Sequence, residues 1–213
     1  KNFPVRAESQ RCPKLYGKPI IIIKNVGSHQ TVVDCSPEIG PITLGMSLQE
    51  ALSRCRNAVL IQADPCYYYE LFDSIIISLT SISPEVQKQK LGCVYLNLDG
   101  LQSIYEEKSD LIFALSQAIP QALHPSIGIA PNKFTAYLSA LLSLGEKNIG
   151  ILEEERVGEF LKNLSIDFLP LPQNNRIYLH RLGIHRMGQL AALNIGPIQA
   201  QLGPEGKTAW QLA

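Results

Sequence analysis

The chain has 213 residues, 46% of them apolar and 18% charged, with no formal net charge. That apolar share can bury a sizeable core in one large domain or two to three small ones, and it excludes a disordered chain. No apolar run reaches the roughly 18 residues of a membrane span and no signal peptide opens the chain, so a cytoplasmic protein with no membrane partner is expected.

Residues 18–26 and 31–34 read as two strands joined by a Gly-Ser turn. Ser47, with Glu50 three residues on, reads as a capping box opening a short amphipathic helix. Residues 58–61 form a buried strand, and Pro65 starts a long helix. Its Tyr68, Leu71, Phe72, Ile75, Ile76 and Leu79 recur at helical spacing. Residues 85–98 run extended into the apolar stretch CVYLNL, read as a central strand, and Asp99-Gly100 is a turn. A helix over 108–119 places Leu111, Ile112, Leu115, Ala118 and Ile119 on one face. Residues 124–130 form a strand, Pro131-Asn132 opens a helix carrying Phe134 to Leu144, and 148–152 form a last strand. This order predicts a mixed α+β fold with helices packed on a sheet.

From Val157 the helical pieces are short and broken by Pro170, Pro172, Gly183, Gly188, Gly196 and Gly203. Short helices joined by Gly turns predict helix-hairpin-helix-like packing, a module that grips DNA backbone. A domain boundary is expected near Glu153-Glu154-Glu155.

Charge is placed unevenly. Residues 1–24 carry six basic and one acidic side chain, 25–155 seven and fifteen, 156–213 six and three. A basic excess confined to the ends predicts weak, backbone-type DNA binding. The best phosphate candidates are Arg176, Arg181 and Arg186, five apart with no acid between them, joined by His180 and His185. An ordinary solvated face is the alternative. Lys133 is either a phosphate contact or a solvated lysine at a helix start. His180 and His185 lack the i, i+4 spacing of a helical metal pair. Tyr67, Tyr68 and Tyr69 read as packing residues. The five cysteines include no C-x-x-C pair, so no zinc site or disulfide framework is suggested.

Five segments, in order, resemble the Y-family lesion-bypass DNA polymerases, and most nearly their ImuB-type paralogues. They are residues 3–23, LGMSLQEAL at 44–52, VYLNLDGL at 94–101, SIGIAPNKFTAYLSA at 126–140, and 157–213. The resemblance implies a palm from 1–7 and 65–152, fingers from 8–64 and a helix-hairpin-helix-like thumb from 153–213. The family's little-finger domain is not expected in this chain, which is read as part of a longer protein.

The resemblance also locates the family's chemistry. Its Asp-Glu metal pair aligns with Gly92 and Cys93, its first Asp upstream of Lys1 or at its edge, and Asn97 replaces a further acid. Mg²⁺ wants hard oxygen ligands, so the metal is expected to be lost and no cofactor remains. The family's triphosphate-binding Tyr and Arg align with Cys35 and Glu38, and its palm Lys with Tyr137. The implied protein is no enzyme but a non-catalytic accessory of mutagenic damage tolerance. Its implied partners are DNA and, through regions outside this chain, an error-prone polymerase and the sliding clamp. The alternatives are an active polymerase with displaced carboxylates and a docking module without DNA contact. The family's first G-x-G hairpin is replaced by Leu171-Pro172-Gln173-Asn174-Asn175, whose side chains would hold a phosphate off the backbone.

Overall fold

The computed structural model describes residues 2–142 and 148–213. They pack as two compact units, residues 1–125 and 126–213.

In the first unit, α1 (Phe3–Arg11) occupies a stretch that the sequence reading treats only as a link. Its helical signal is weak because two of its four buried residues, Glu8 and Ser9, are polar. Strands β1 (Ile20–Val26) and β2 (His29–Cys35) form an antiparallel pair. Helix α2 (Leu48–Arg54) starts as expected, with Ser47 Oγ accepting from the Glu50 backbone N–H at 3.2 Å. Strand β3 (Val59–Gln62) then joins β1 in parallel, giving the order β2-β1-β3.

The central position of β1 explains its four consecutive isoleucines. Ile21 and Ile23 pack with Val32, Ile39, Met46 and Ala51, while Ile20 and Ile22 pack with Val5 of α1. A strand covered on both faces is apolar throughout rather than alternating.

Helix α3 (Pro65–Thr80) has Pro65 at its start and Asp64 as cap, and it buries Tyr68, Phe72, Ile75 and Leu79. The stretch read as one extended run is a hairpin of β4 (Val86–Lys90) and β5 (Cys93–Leu96). The chain reverses at Gly92, whose φ of 74° favours glycine. Gly100 turns similarly at φ 79°, as expected of Asp99-Gly100, and α4 (Lys108–Ala118) follows.

The second unit opens with β6 (Ile127–Ile129), α5 (Lys133–Leu142) and β7 (Ile149–Ile151), the strands pairing in parallel. The helix predicted to reach Leu144 runs there into residues outside those described. Both strands read Ile-Gly-Ile, and a Cβ on Gly128 or Gly150 would run into the backbone of α5 at Ala136 or Ser139. The glycines let the helix lie directly on the strands.

Next come α6 (Val157–Lys162), α7 (Gln173–Arg181), α8 (Met187–Ala191) and α9 (Ile195–Leu212), the last broken at Gly203. One core joins Leu138 of α5 to Leu161, Ile166, Leu169, Leu179, Met187, Leu190, Ile198, Leu202 and Ala209. The class is mixed α+β, and the described strands pair in three small sheets.

Candidate nucleic-acid interface

The candidate cations lie in the second unit, around the turn between α7 and α8. Ile166 N–H donates to His185 C=O at 3.0 Å and Met187 N–H to Leu164 C=O at 2.9 Å. This two-stranded clasp, bridged at Ser165 and Arg186, brings residues 165–168 beside the C-terminus of α7.

Asp167 thereby enters the basic cluster from outside the 176–186 stretch. Its Oδ1 lies 2.9 Å from His180 Nε2, and Ser165 Oγ donates to its Oδ2 at 2.8 Å. Hydrogen bonds from His180 and then Ser165 hold its carboxyl below the usual range. On the other side of the ring, His180 Nδ1 lies 2.8 Å from His185 Nδ1. The two histidines meet across the Gly183 turn despite lacking helical spacing. Sequence reasoning missed Asp167. The available signal was the Ser-x-Asp turn at 165–167, which says nothing about its distant partner.

The three arginines do not form one patch. A separation of five turns a helix by about 140°, so Arg176 and Arg181 leave α7 in different directions. Arg176 is half-buried and donates through Nε to Leu171 C=O at 2.9 Å. Arg181 is exposed in the last turn of α7. Arg186 is exposed at the start of α8, with Nη1 3.3 Å from Asn163 Oδ1. Lys133 stands exposed at the first position of α5, behind the cap made by Asn132 Oδ1 to the Thr135 N–H at 2.9 Å.

Helix α9 is broken by a kink. Gly203, at φ 70° and ψ −159°, separates two helical halves, and Pro204 starts the second. Gly206 packs against Leu202 and Ile198, bringing the halves together. Glu205 at the start of the second half matches the helix dipole and opposes an anion there.

In the first unit, the positions implied for metal and triphosphate carry other chemistry. The space a side chain at Gly92 would need is filled by the ring of Phe3, which stands edge-on to Phe72 at 5.6 Å. Cys93 is half-buried, and burial pushes its thiol up. Asn97 bonds to Glu85 Oε2 at 3.1 Å and to the Asp99 backbone N–H. Cys35 is half-buried, and burial pushes its thiol up too, while Glu38 is exposed. Tyr137 packs against the core of the second unit. Among the described residues no three His, Cys, Asp or Glu side chains group as a metal site, and no helix is long and apolar enough to cross a membrane.

Comparison with known proteins places this geometry. Residues 1–140 match the family model IMS, the impB/mucB/samB family. A protein of Sulfurisphaera tokodaii named DNA polymerase IV is 23% identical over 94% of this chain and 59% of its own length. DinB from Sulfolobus solfataricus superposes with a TM-score of 0.86 over the whole chain and 64% of its own, at 19% identity. The insertion ternary complex of Dbh DNA polymerase gives 0.84 over the same shares, also at 19%. The chain thus spans less than two thirds of the length of these relatives, and the solved structures establish the shared fold.

These relatives overturn two expectations. The chain was expected to be no enzyme and to have lost Mg²⁺, yet its kin carry the name of a polymerase. Polymerases stabilise attacking and leaving oxygens with metal ions, so the expected loss of the ion falls with the expected loss of the enzyme. The side chains at Gly92 and Cys93 themselves do not fit a hard divalent ion: one position has no donor, the other a protonated sulfur. No ligand role is assigned to them.

Proposed function

Because the chain belongs to the impB/mucB/samB family, within the Y-family DNA polymerases, we propose that it serves DNA repair and translesion synthesis by holding a DNA backbone against its second unit. The observation that carries the repair and translesion role is the family match over residues 1–140; placing the DNA on the second unit is a proposal from its own side chains. The exposed cations Arg181, Arg186 and Lys133 support it, as do the short helices and tight turns that present them. Such contacts neutralise phosphates without reading bases, so binding is weak and independent of sequence.

In this reading the fingers are 8–64, the palm 1–7 and 65–152, and the thumb 153–213. An ImuB-type affinity is part of this proposal; what supports it is the resemblance, which aligns Cys35, Glu38, Gly92, Cys93 and Tyr137 with the family's functional positions. An error-prone polymerase and the sliding clamp are the proposed partners, through regions outside this chain, in the bacterial cytoplasm beside the nucleoid.

The test is fluorescence anisotropy of a labelled primer–template duplex across a salt series. Each neutralised phosphate adds about 0.9 to the slope of log K against log salt. Two or three contacts predict a slope of roughly −2 to −3, and the double variant Arg181→Ala, Arg186→Ala lowers its magnitude by about 1.8. A slope near zero with wild-type protein sinks the DNA reading.

A further inference from the structure

We propose that His185, rather than His180, is the ring that meets the DNA phosphate, and that Asp167 positions it for that contact through His180. This rests on the reading that the second unit holds a DNA backbone.

Ionised Asp167 only accepts, so His180 Nε2, 2.9 Å away, carries a hydrogen. A neutral imidazole has one N–H, so His180 Nδ1 is bare and accepts. His185 Nδ1, 2.8 Å from it, therefore donates. The ring centroids lie 5.1 Å apart, about the N···N distance plus two ring radii of roughly 1.15 Å, so the rings meet end-on as a linear hydrogen bond requires. His185 is left as the Nδ1–H tautomer with its Nε2 bare. That nitrogen belongs to an exposed side chain and has no hydrogen-bond partner among the described residues.

A further proton has two rings to choose between. Added at His185 Nε2, the proton leaves both bonds of the chain intact. The ring then donates inward to His180 and outward to an anion, with the Asp167 charge at the far end of the relay. If the shared proton sits on His180 Nδ1 instead, His185 Nδ1 accepts it and His185 Nε2 still carries the outward hydrogen. His180 is committed at both nitrogens and has nothing to offer a phosphate. The surrounding groups suit this assignment. Arg176 acts electrostatically on Asp167 from α7, Arg181 stands exposed at the end of that helix, and Arg186 follows His185 directly. Gln189 Oε1 accepts from the backbone N–H of both His185 and Arg186 at 2.9 Å, fixing the turn that carries them. Ser165 steadies Asp167 from behind. The phosphate supplies the one element the cluster lacks, an acceptor on the outer side.

Two measurements test this. In the free protein, long-range ¹⁵N–¹H NMR is expected to show His180 with its hydrogen on Nε2 and His185 with its hydrogen on Nδ1. Asp167→Asn, which leaves a neutral side chain able to present either an acceptor or a donor, is expected to reduce the Nδ1–H population of His185. Both rings as Nε2–H in the wild type would overturn the relay whether or not DNA binds. With the duplex present, affinity is expected to rise by up to about tenfold per pH unit on going from about pH 8 to about pH 5.5, the signature of one linked proton. His185→Gln removes that dependence while retaining the salt slope contributed by the arginines. Salt-dependent binding with the same pH profile in His185→Gln refutes this inference and leaves the DNA reading standing. Absence of any binding refutes the DNA reading and the phosphate contact together.

Discussion

Asp34 in the first unit and Asp167 in the second are both held by hydrogen bonds, yet their carboxyls move in opposite directions. Asp34 is 7% exposed and accepts from the Val5 backbone N–H and the Asn2 side chain, each at 3.2 Å. Burial pushes its carboxyl up in spite of those bonds and the one from Cys35. Asp167 lies near the surface, and bonds from His180 and Ser165 hold it down. The difference shows that satisfying a carboxylate and solvating it are separate matters. Asp34 uses its oxygens to tie β2 to the start of α1, which has no local side-chain cap. Asp167 uses its own to hold the half-buried ring of His180.

The largest effect that would sharpen this comparison is expected from Asp34→Ala. Removing it leaves the Val5 N–H without its acceptor inside the first unit, while the Asn2 amide keeps its bond to Cys35 C=O, at a cost of about 2 kcal/mol in urea unfolding. A loss below about 0.5 kcal/mol would mean that water replaces those bonds and that the site is not closed.

Next comes Arg176→Ala. Its Nε bond to Leu171 C=O makes it a structural residue, so a loss of about 1 kcal/mol is expected with no change in the salt slope of duplex binding. A slope reduced by about 0.9 would return Arg176 to the phosphate contacts.

Asp34→Asn should cost less than the alanine change and should vary with pH. The folded-state pKa of Asp34 lies above its unfolded value, so the folded state holds the proton more tightly. Its contribution favours folding while protonated and is lost as pH rises through the folded pKa. Asparagine has no such loss. The stability of the variant relative to wild type is therefore expected to improve as pH rises above the ordinary carboxylate range, read from urea midpoints.

The smallest effect is expected from Asp167→Asn, within about 0.5 kcal/mol near neutral pH because the pair is exposed. The sign is opposite. Asp167 titrates below its unfolded value, so its contribution is present above the ordinary carboxylate range and fades as pH falls through the folded pKa. The two variants should diverge from wild type in opposite senses along one pH series.

Much of the fold was legible because its signals are local. The Ser47 cap, the Pro65 start of α3, the apolar spacing of α3 and the turn at Gly100 depend on residues a few positions apart. Helix α1 was not legible, since its buried Glu8 finds its partner, the Tyr68 hydroxyl at 2.9 Å, far along the chain. The β4–β5 hairpin was misread as one run because Gly92 was weighed as a lost metal position rather than as a turn. At the candidate interface, sequence spacing carried no information on how the side chains are arranged. Arg176 turns back to its own segment and His180 is used at both nitrogens.

Composition and short-range pattern thus determined a mixed α+β chain with an apolar core and short C-terminal helices, and a family resemblance added the polymerase-like segments. Which cations reach solvent, which acid enters their midst and which two histidine rings meet were decided only in the tertiary structure. Hydrogen-bond partners at this site come from residues 13 and 5 positions away, brought within 3 Å by the clasp of 164–166 on 185–187. A helix repeats every 3.6 residues and a strand every two, so such meetings leave no periodic trace in the chain.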